Sequence, residues 1–104
     1  MVSDLANRVT EKLNELVDEE TGRRFGELNI VTDVAELTTG SLRIRFQPLS
    51  AYSPLAVNTG RNIRETALSV DGATAVRVEC GGHMMDDLVN RLINKDDARQ
   101  KNLK

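Results

Sequence analysis

Residues 41–80 read SLRIRFQPLSAYSPLAVNTGRNIRETALSVDGATAVRVEC, and this stretch decides the fold. Two runs in it, 41–47 and 75–80, alternate apolar and polar residues as half-buried strands do. Between them, small and apolar residues recur at helical spacing from Ala56 to Val70, which predicts a helix that Asp71-Gly72 ends. A strand, a helix and a strand in this order allow a crossover connection, so we expect both strands in one sheet.

The flanking sequence adds a helix at each end and one more strand. Ser3 is a good N-cap, and a buried stripe at helical spacing predicts a first helix from Ser3 to Val17. Residues 28–37 alternate through Leu28, Ile30 and Val34, and a short Thr38-Thr39-Gly40 turn joins them to 41–47 as a hairpin. A last helix over 84–94 is predicted to point Met85, Leu88, Val89 and Leu92 inward, with Met84 and Met85 as core fillers.

These elements predict an α+β fold, a two-layer open sandwich in the order α-β-β-α-β-α. A small mixed sheet carries the helices on one face, within a single domain over 1–94. Residues 95–104 are polar, and we expect a flexible tail there. Gly60 costs about 1 kcal/mol relative to Ala in mid-helix, which predicts that the helix approaches the sheet closely at this position.

Composition excludes several classes of function. Hydrophobic residues make up 39% and charged residues 29% of the 104 residues, with a net charge of -2, so we expect neither a nucleic-acid nor a membrane partner. No apolar run reaches signal-peptide or membrane-span length, which predicts a cytoplasmic protein. Cys80 is the only cysteine, so no internal disulfide can form.

Four stretches, taken in order, resemble one family. Asp18-Glu19-Glu20 with residues 28–34 (LNIVTDV) is similar to an Asp-Pro-Glu loop leading into a Leu-Gly-Leu-Val-x-Asp-Val strand. Residues 53–56 (SPLA) resemble Cys-Pro-Leu-Ala at a helix start, and 71–73 and 76–78 resemble its Pro-Gly-Val turn and Val-x-Val strand. The family is the metal-sulfur cluster biosynthetic domain, found in iron-sulfur cluster assembly factors and in PaaD-like accessory proteins of multicomponent oxygenases.

The resemblance implies a fold and a set of binding positions, namely Asp18, Glu20, Ser53 and Pro54. It also implies a protein partner, either a metalloenzyme or the cluster-assembly components, and a transient iron-sulfur cluster as the possible cofactor. The family cysteine is Ser53 in this chain, and a serine hydroxyl stays protonated near neutral pH and is a poor ligand for soft metals. The sequence therefore predicts no enzyme and no resident cofactor, but a non-catalytic assembly or accessory protein.

Ser53 also has a structural interpretation, which the residues favour. Serine is among the best N-caps and proline suits the first helical position, so Ser53 and Pro54 are predicted to start the central helix. A nucleophilic serine would need a base such as His83, and no nucleophile-elbow pattern surrounds Ser53.

Cys80 and His83 form the second candidate site. Their Cys-x-x-His spacing is compatible with two corners of a zinc or iron site, with the remaining ligands from Asp86, Asp87 or a second subunit of a homodimer. The favoured alternative is a small buried Cys80 at a strand end and a His83 in the following turn. A metal-binding protein is thus the alternative function.

Arg43, Arg45 and Arg77 are predicted to share the outer face of the sheet, opposite the apolar residues of their strands. They can pair across strands with Asp33 and Glu79, which is the favoured interpretation. An open sheet face is also a possible partner surface, either for docking or for a structural subunit of a multicomponent enzyme.

Overall fold

The computed structural model describes residues 3–94, which form four helices and three strands. The predicted α+β order is confirmed, with one additional short helix before the hairpin. The elements are α1 (Asp4–Asn14), α2 (Phe25–Leu28), β1 (Val31–Thr38), β2 (Ser41–Phe46), α3 (Ala56–Leu68), β3 (Ala75–Cys80) and α4 (Asp86–Ile93). The predicted tail, 95–104, lies outside the described residues. No helix within 3–94 is long and apolar enough to cross a membrane.

The three strands form one mixed sheet in the order β1-β2-β3. β1 is antiparallel to β2, and β2 is parallel to β3, so the crossover predicted from residues 41–80 is confirmed. The β1–β2 hairpin turns at Gly40, whose φ is +79° and where an added Cβ would lie 2.8 Å from Thr74 Oγ1. Glycine suits both conditions because it has no Cβ and adopts positive φ at little cost.

One face of the sheet is buried under helices α1 and α3. Every second side chain of β2 and β3 points into this layer, where it is at most 5% exposed: Leu42, Ile44, Phe46, Val76, Val78 and Cys80. Apolar residues of α1 and α3 join them in a single cluster. The core is mainly aliphatic, as the composition requires.

The N-terminal third departs from the predicted boundaries. α1 ends at Asn14, and Val17, which was predicted on the buried stripe, is 57% exposed. The chain leaves the helix because the Asp18 N–H donates to the Arg23 carbonyl at 2.8 Å and closes a loop. Leu28, the first residue of the predicted strand, instead ends the short helix α2. The C-cap of α2 is Asn29, whose φ of 53° is left-handed. Asparagine adopts this conformation more readily than most residues.

The regular alternation predicted for residues 28–37 is interrupted, because the pairing of β1 with β2 is irregular at Thr32 and at Leu37, although Leu28, Ile30 and Val34 all pack against the core. Thr32 has no residue opposite it in the β2 register, although its hydroxyl donates to the Arg45 carbonyl at 3.3 Å. Since a bulge shifts the side-chain alternation, Val31 and Val34 both lie opposite inward-facing residues of β2. Ile30 is buried just before the strand begins.

α4 begins at Asp86, and the face that it turns to the core agrees with the predicted one only in part. Its buried apolar residues are Val89 and Ile93, four residues apart. Leu88 and Met85, predicted to point inward, are 39% and 55% exposed. Val89 is buried as predicted and Leu92 is half-buried, so the prediction was wrong for Met85, which precedes the helix, and for Leu88.

The outer edge of β3 is covered by side chains of α4. Asn94, which is 7% exposed, accepts from the Val78 N–H at 3.1 Å and donates to the Val78 carbonyl at 2.8 Å. Asn90 accepts from the Cys80 N–H and donates to the Cys80 carbonyl. Two side-chain amides one helical turn apart thus bond the edge as a neighbouring strand would, which prevents further pairing at these residues.

Gly60 lies where α3 crosses α4 and the sheet. A Cβ added there would lie 2.1 Å from Ile93 Cδ1 and 3.2 Å from Phe46 Cε1. The predicted close approach is confirmed, although Ile93 of α4, more than the sheet, requires the missing side chain.

Candidate functional site

Two loops meet at one end of the sheet and form the candidate site. Because β2 and β3 run parallel, the loops that follow them, 47–55 and 81–85, start from the same end of the sheet. The Met84 N–H donates to the Ala51 carbonyl at 2.9 Å, and the Gly81 N–H donates to the Phe46 carbonyl at 2.9 Å. These bonds hold the two loops side by side.

Ser53 is close to the start of α3 but is not its N-cap. The helix begins at Ala56 with Leu55 as the N-cap and no capping side chain, so the predicted start was two residues too early. The Ser53 Oγ accepts from the Leu55 N–H at 3.3 Å, so it does bond the turn that leads into the helix. Pro54 lies exposed in that turn.

A hydrogen bond between Ser53 and Glu20 connects two of the four stretches that resemble the family, residues 18–20 and residues 53–56. The Ser53 hydroxyl donates to the Glu20 carboxylate, whose two oxygens lie at 3.3 and 3.4 Å. Ser53 is only 6% exposed, whereas Glu20 is exposed. Asp18 is buried and accepts from the Thr21 N–H at 2.9 Å, so its carboxylate holds the loop rather than facing the site.

His83 is fixed by hydrogen bonds at both ring nitrogens. Its Nε2 lies 3.0 Å from the Ser53 carbonyl oxygen, and its Nδ1 accepts from the Met85 N–H at 3.0 Å. Because a carbonyl only accepts, these partners assign the proton to Nε2 of a neutral ring. The ring bonds the Ser53 backbone and not its hydroxyl, so this geometry does not activate a nucleophile at Ser53.

Cys80 is a buried thiol in the apolar core. Burial, together with the nearby Asp86 carboxylate, raises the pKa of the Cys80 thiol from 9.0 to about 12. The thiol is therefore protonated at neutral pH, and the thiolate is the form that binds metals and reacts. Residues 3–94 contain no group of three or more His, Cys, Asp or Glu side chains that could hold a metal. Metal binding by Cys80 and His83 stays a prediction that this geometry does not favour.

The three arginines lie on the outer face of the sheet as predicted, and the predicted pairing across strands is confirmed for Arg43 and Arg45, whereas Arg77 meets Glu79 within its own strand. Arg43 bonds Asp33 at 3.3 Å, while Arg45 and Arg77 lie 3.0 and 3.6 Å from the Glu79 carboxylate. An open cleft of about 250 Å³ runs over Arg45, Arg77 and Glu79 towards Asn90. Since the charges are largely paired, the partner role of this face stays a prediction.

Sequence reasoning missed a group of exposed apolar side chains, made of Tyr52, Met84 and Met85 on the two loops and Leu88 in the first turn of α4. We call it the Tyr52–Met84 surface. Tyr52 is 72% exposed, Met84 69% and Met85 55%, so the prediction of Met84 and Met85 as core fillers was wrong. One signal was present in the sequence: the acid pair Asp86-Asp87 marks a helix N-terminus, which places both methionines before the helix.

Compared with known proteins, the sequence matches no family model and no curated protein.

Proposed function

We propose that the protein is a non-catalytic, cytoplasmic assembly or accessory protein. It docks onto a larger metalloenzyme or onto iron-sulfur cluster assembly components and turns over no substrate. The observation that carries the proposal is the Tyr52–Met84 surface, which lies beside the position that holds a cysteine in the family that the sequence resembles. Exposed tyrosine and methionine are enriched at protein interfaces, and such clusters mark binding sites.

The side chains around Ser53 support a non-catalytic role. The Ser53 hydroxyl is hydrogen-bonded to Glu20, and both ring nitrogens of His83 are occupied. The Cys80 thiol is buried and protonated. None of these groups presents a free nucleophile or an open ligand position at the surface, whereas the apolar side chains beside them are exposed. The link to metal-sulfur chemistry rests on the resemblance and on the hydrogen bond between Ser53 and Glu20, which lie in two of the stretches that carry the resemblance.

Affinity copurification from native extract tests this proposal. The full chain is compared with Met84→Ser, which makes the Tyr52–Met84 surface more polar, and with Leu37→Ser, which removes a 58% exposed leucine from the hairpin. We expect one set of proteins, identified by mass spectrometry, to be lost with Met84→Ser and retained with Leu37→Ser. Recovery of the chain alone in all three purifications would contradict the proposal.

A structural subunit that associates with itself would use the same exposed residues. Light scattering distinguishes this second candidate, because a structural subunit would be a dimer or larger and would dissociate in Met84→Ser.

A further inference from the structure

We propose that Met84 and Met85 form a site of oxidative modification. Oxidants of the peroxide class convert these two thioethers to sulfoxides, while the thiol of Cys80 stays reduced. Three observations carry the proposal: the exposure of both methionines, the burial of the only cysteine, and backbone hydrogen bonds that do not involve the methionine side chains. It goes beyond the proposed function and does not rest on it, because the purified chain alone tests it.

Both methionine side chains are open to small molecules in solution. Met84 is 69% exposed and Met85 is 55% exposed, on the loop 81–85 that follows β3. A thioether sulfur has no proton to lose, so it is in its reactive form at any physiological pH and only access limits its oxidation. The structure gives this access at two neighbouring residues.

The chemical step is the transfer of one oxygen atom. A lone pair of the thioether sulfur attacks a peroxide oxygen, the O–O bond breaks and an S–O bond forms. The sulfur loses two electrons, and the peroxide is reduced to an alcohol, or hydrogen peroxide to water. The product is methionine sulfoxide, which is polar and chiral where the thioether was apolar.

Cys80 does not compete for the oxidant. A cysteine is ordinarily the more reactive sulfur, because its thiolate is a strong nucleophile. Cys80, however, is 5% exposed and packs in the core cluster. Since burial and the nearby Asp86 raise the pKa of its thiol from 9.0 to about 12, it has roughly a thousandfold less thiolate at neutral pH. The usual order of reactivity is therefore reversed, and the methionines react first.

The modification changes the surface without disturbing the fold. The Met84 N–H donates to the Ala51 carbonyl at 2.9 Å, and the Met85 N–H donates to His83 Nδ1 at 3.0 Å. The Met85 carbonyl accepts from the Val89 N–H at 2.9 Å. These bonds use only the methionine backbone, and an oxygen added to an exposed sulfur can point into solvent. Sulfoxide formation thus makes the Tyr52–Met84 surface polar while the two loops stay joined.

A time course with hydrogen peroxide at neutral pH tests the order of oxidation. The full chain is treated in the folded state and after unfolding in urea, remaining thiols are alkylated, and the protein is digested with trypsin. Cleavage after Arg77 and Arg91 places Cys80, Met84 and Met85 in one peptide, 78–91, so tandem mass spectrometry assigns each added oxygen.

The folded and unfolded rates give the expected result. Oxidation of Met84 and Met85 in the folded chain should be within about threefold of the rate in urea, whereas oxidation of Cys80 should be slowed at least about tenfold by folding. Consumption of the Cys80 thiol before the methionines in the folded chain would overturn the proposal. Protection of the methionines by folding to the same extent as Cys80 would overturn it as well.

A variant that lacks both sulfur atoms tests the effect on the fold. Met84→Leu combined with Met85→Leu keeps the surface apolar, and its peptide 78–91 should gain no oxygen while the unmodified protein gains two. The oxidised unmodified protein should keep its Tm within about 4 °C, the scale of changes at exposed residues. The double variant, treated with peroxide in parallel, reports oxidation elsewhere in the chain. A larger fall in Tm that occurs in the unmodified protein and is absent from the double variant would show that these side chains support the fold, which contradicts the proposal.

Discussion

Gly60→Ala tests the packing of α3 against α4 directly. The added methyl group would lie 2.1 Å from Ile93 Cδ1 and 2.6 Å from Ile93 Cγ1, whereas carbon atoms in contact are about 3.5–4.0 Å apart. Ile93 has little room to move away because it is 2% exposed, and Phe46 Cε1 lies 3.2 Å from the same methyl position. A shift of α4 would instead strain the amide bonds that Asn94 makes with β3.

The size of the effect follows from two opposing contributions. Overpacking a buried site costs about 1–3 kcal/mol, and replacing glycine by alanine in a helix recovers about 1 kcal/mol. Because both Ile93 atoms are too close, we expect a cost near the upper end and a net loss of about 1–2 kcal/mol in the free energy of unfolding. For a domain of this size the loss corresponds to a fall in Tm on the order of 5–15 °C.

Urea and thermal unfolding followed by circular dichroism measure this change. Asn62→Ala is the matched control, since it adds alanine to an exposed position of the same helix and should stabilise by about 0.5 kcal/mol. Ile93→Val removes the closest atom, so it should restore part of the stability lost in Gly60→Ala, although alone it costs about 0.5–1.5 kcal/mol. If Gly60→Ala proves as stable as the unmodified protein, the packing described for α3 and α4 is wrong.

Three further changes test the edge cover, the buried thiol and the hairpin. Asn94→Ala leaves the Val78 N–H and carbonyl without partners at a buried edge, so the free energy of unfolding from urea titration should fall by about 1–3 kcal/mol; no loss would contradict the edge bonds. The pKa of the Cys80 thiol is raised to about 12 in the folded protein, so its contribution is complete below about pH 9 and is lost as the pH rises towards 12. The free energy of unfolding should therefore fall by up to about 1.4 kcal/mol per pH unit above pH 9, and Cys80→Ala should lack this slope. Hydrogen bonding from the Gly40 N–H lowers the pKa of the Glu36 carboxyl below 4.5, so the stability it contributes is present above that pH and lost as the pH falls further. The Tm difference between the unmodified protein and Glu36→Gln should accordingly shrink between pH 5 and pH 3, on the scale of carboxyl titration, and an unchanged difference would argue against this bond.

The strands of residues 41–80 were predictable because their pattern has a single interpretation. β3 was predicted at its observed bounds, and the parallel crossover followed from the order of the elements. β1 was harder to predict, since the bulge at Thr32 arises from its pairing with β2 and leaves no mark in local propensity. The end of α1 was predicted wrongly for a similar reason, because the helix stops before the loop that the hydrogen bond between Asp18 and Arg23 closes.

The candidate site was predictable in its members but not in their contacts. Sequence reasoning considered His83 as a base for a nucleophilic Ser53, as a metal ligand beside Cys80 or as a residue of the turn, whereas the structure joins its ring to the Ser53 carbonyl. It also named Cys80 as a small buried residue at a strand end, which is confirmed. The exposure of Met84 and Met85 was missed because methionine in a periodic run resembles core sequence, although the acid pair Asp86-Asp87 marks the start of α4 after them.

The sequence by itself determined six of the seven elements and the apolar side of β2 and β3. Those properties depend on the periodicity of neighbouring residues and on turn residues such as Gly40, so they are local. The tertiary structure alone decided the face that α4 turns to the core, the amide cover on β3 and the apolar surface at the loop junction. Each of these results from contacts between segments far apart in the chain, whose geometry is fixed only when the whole core packs.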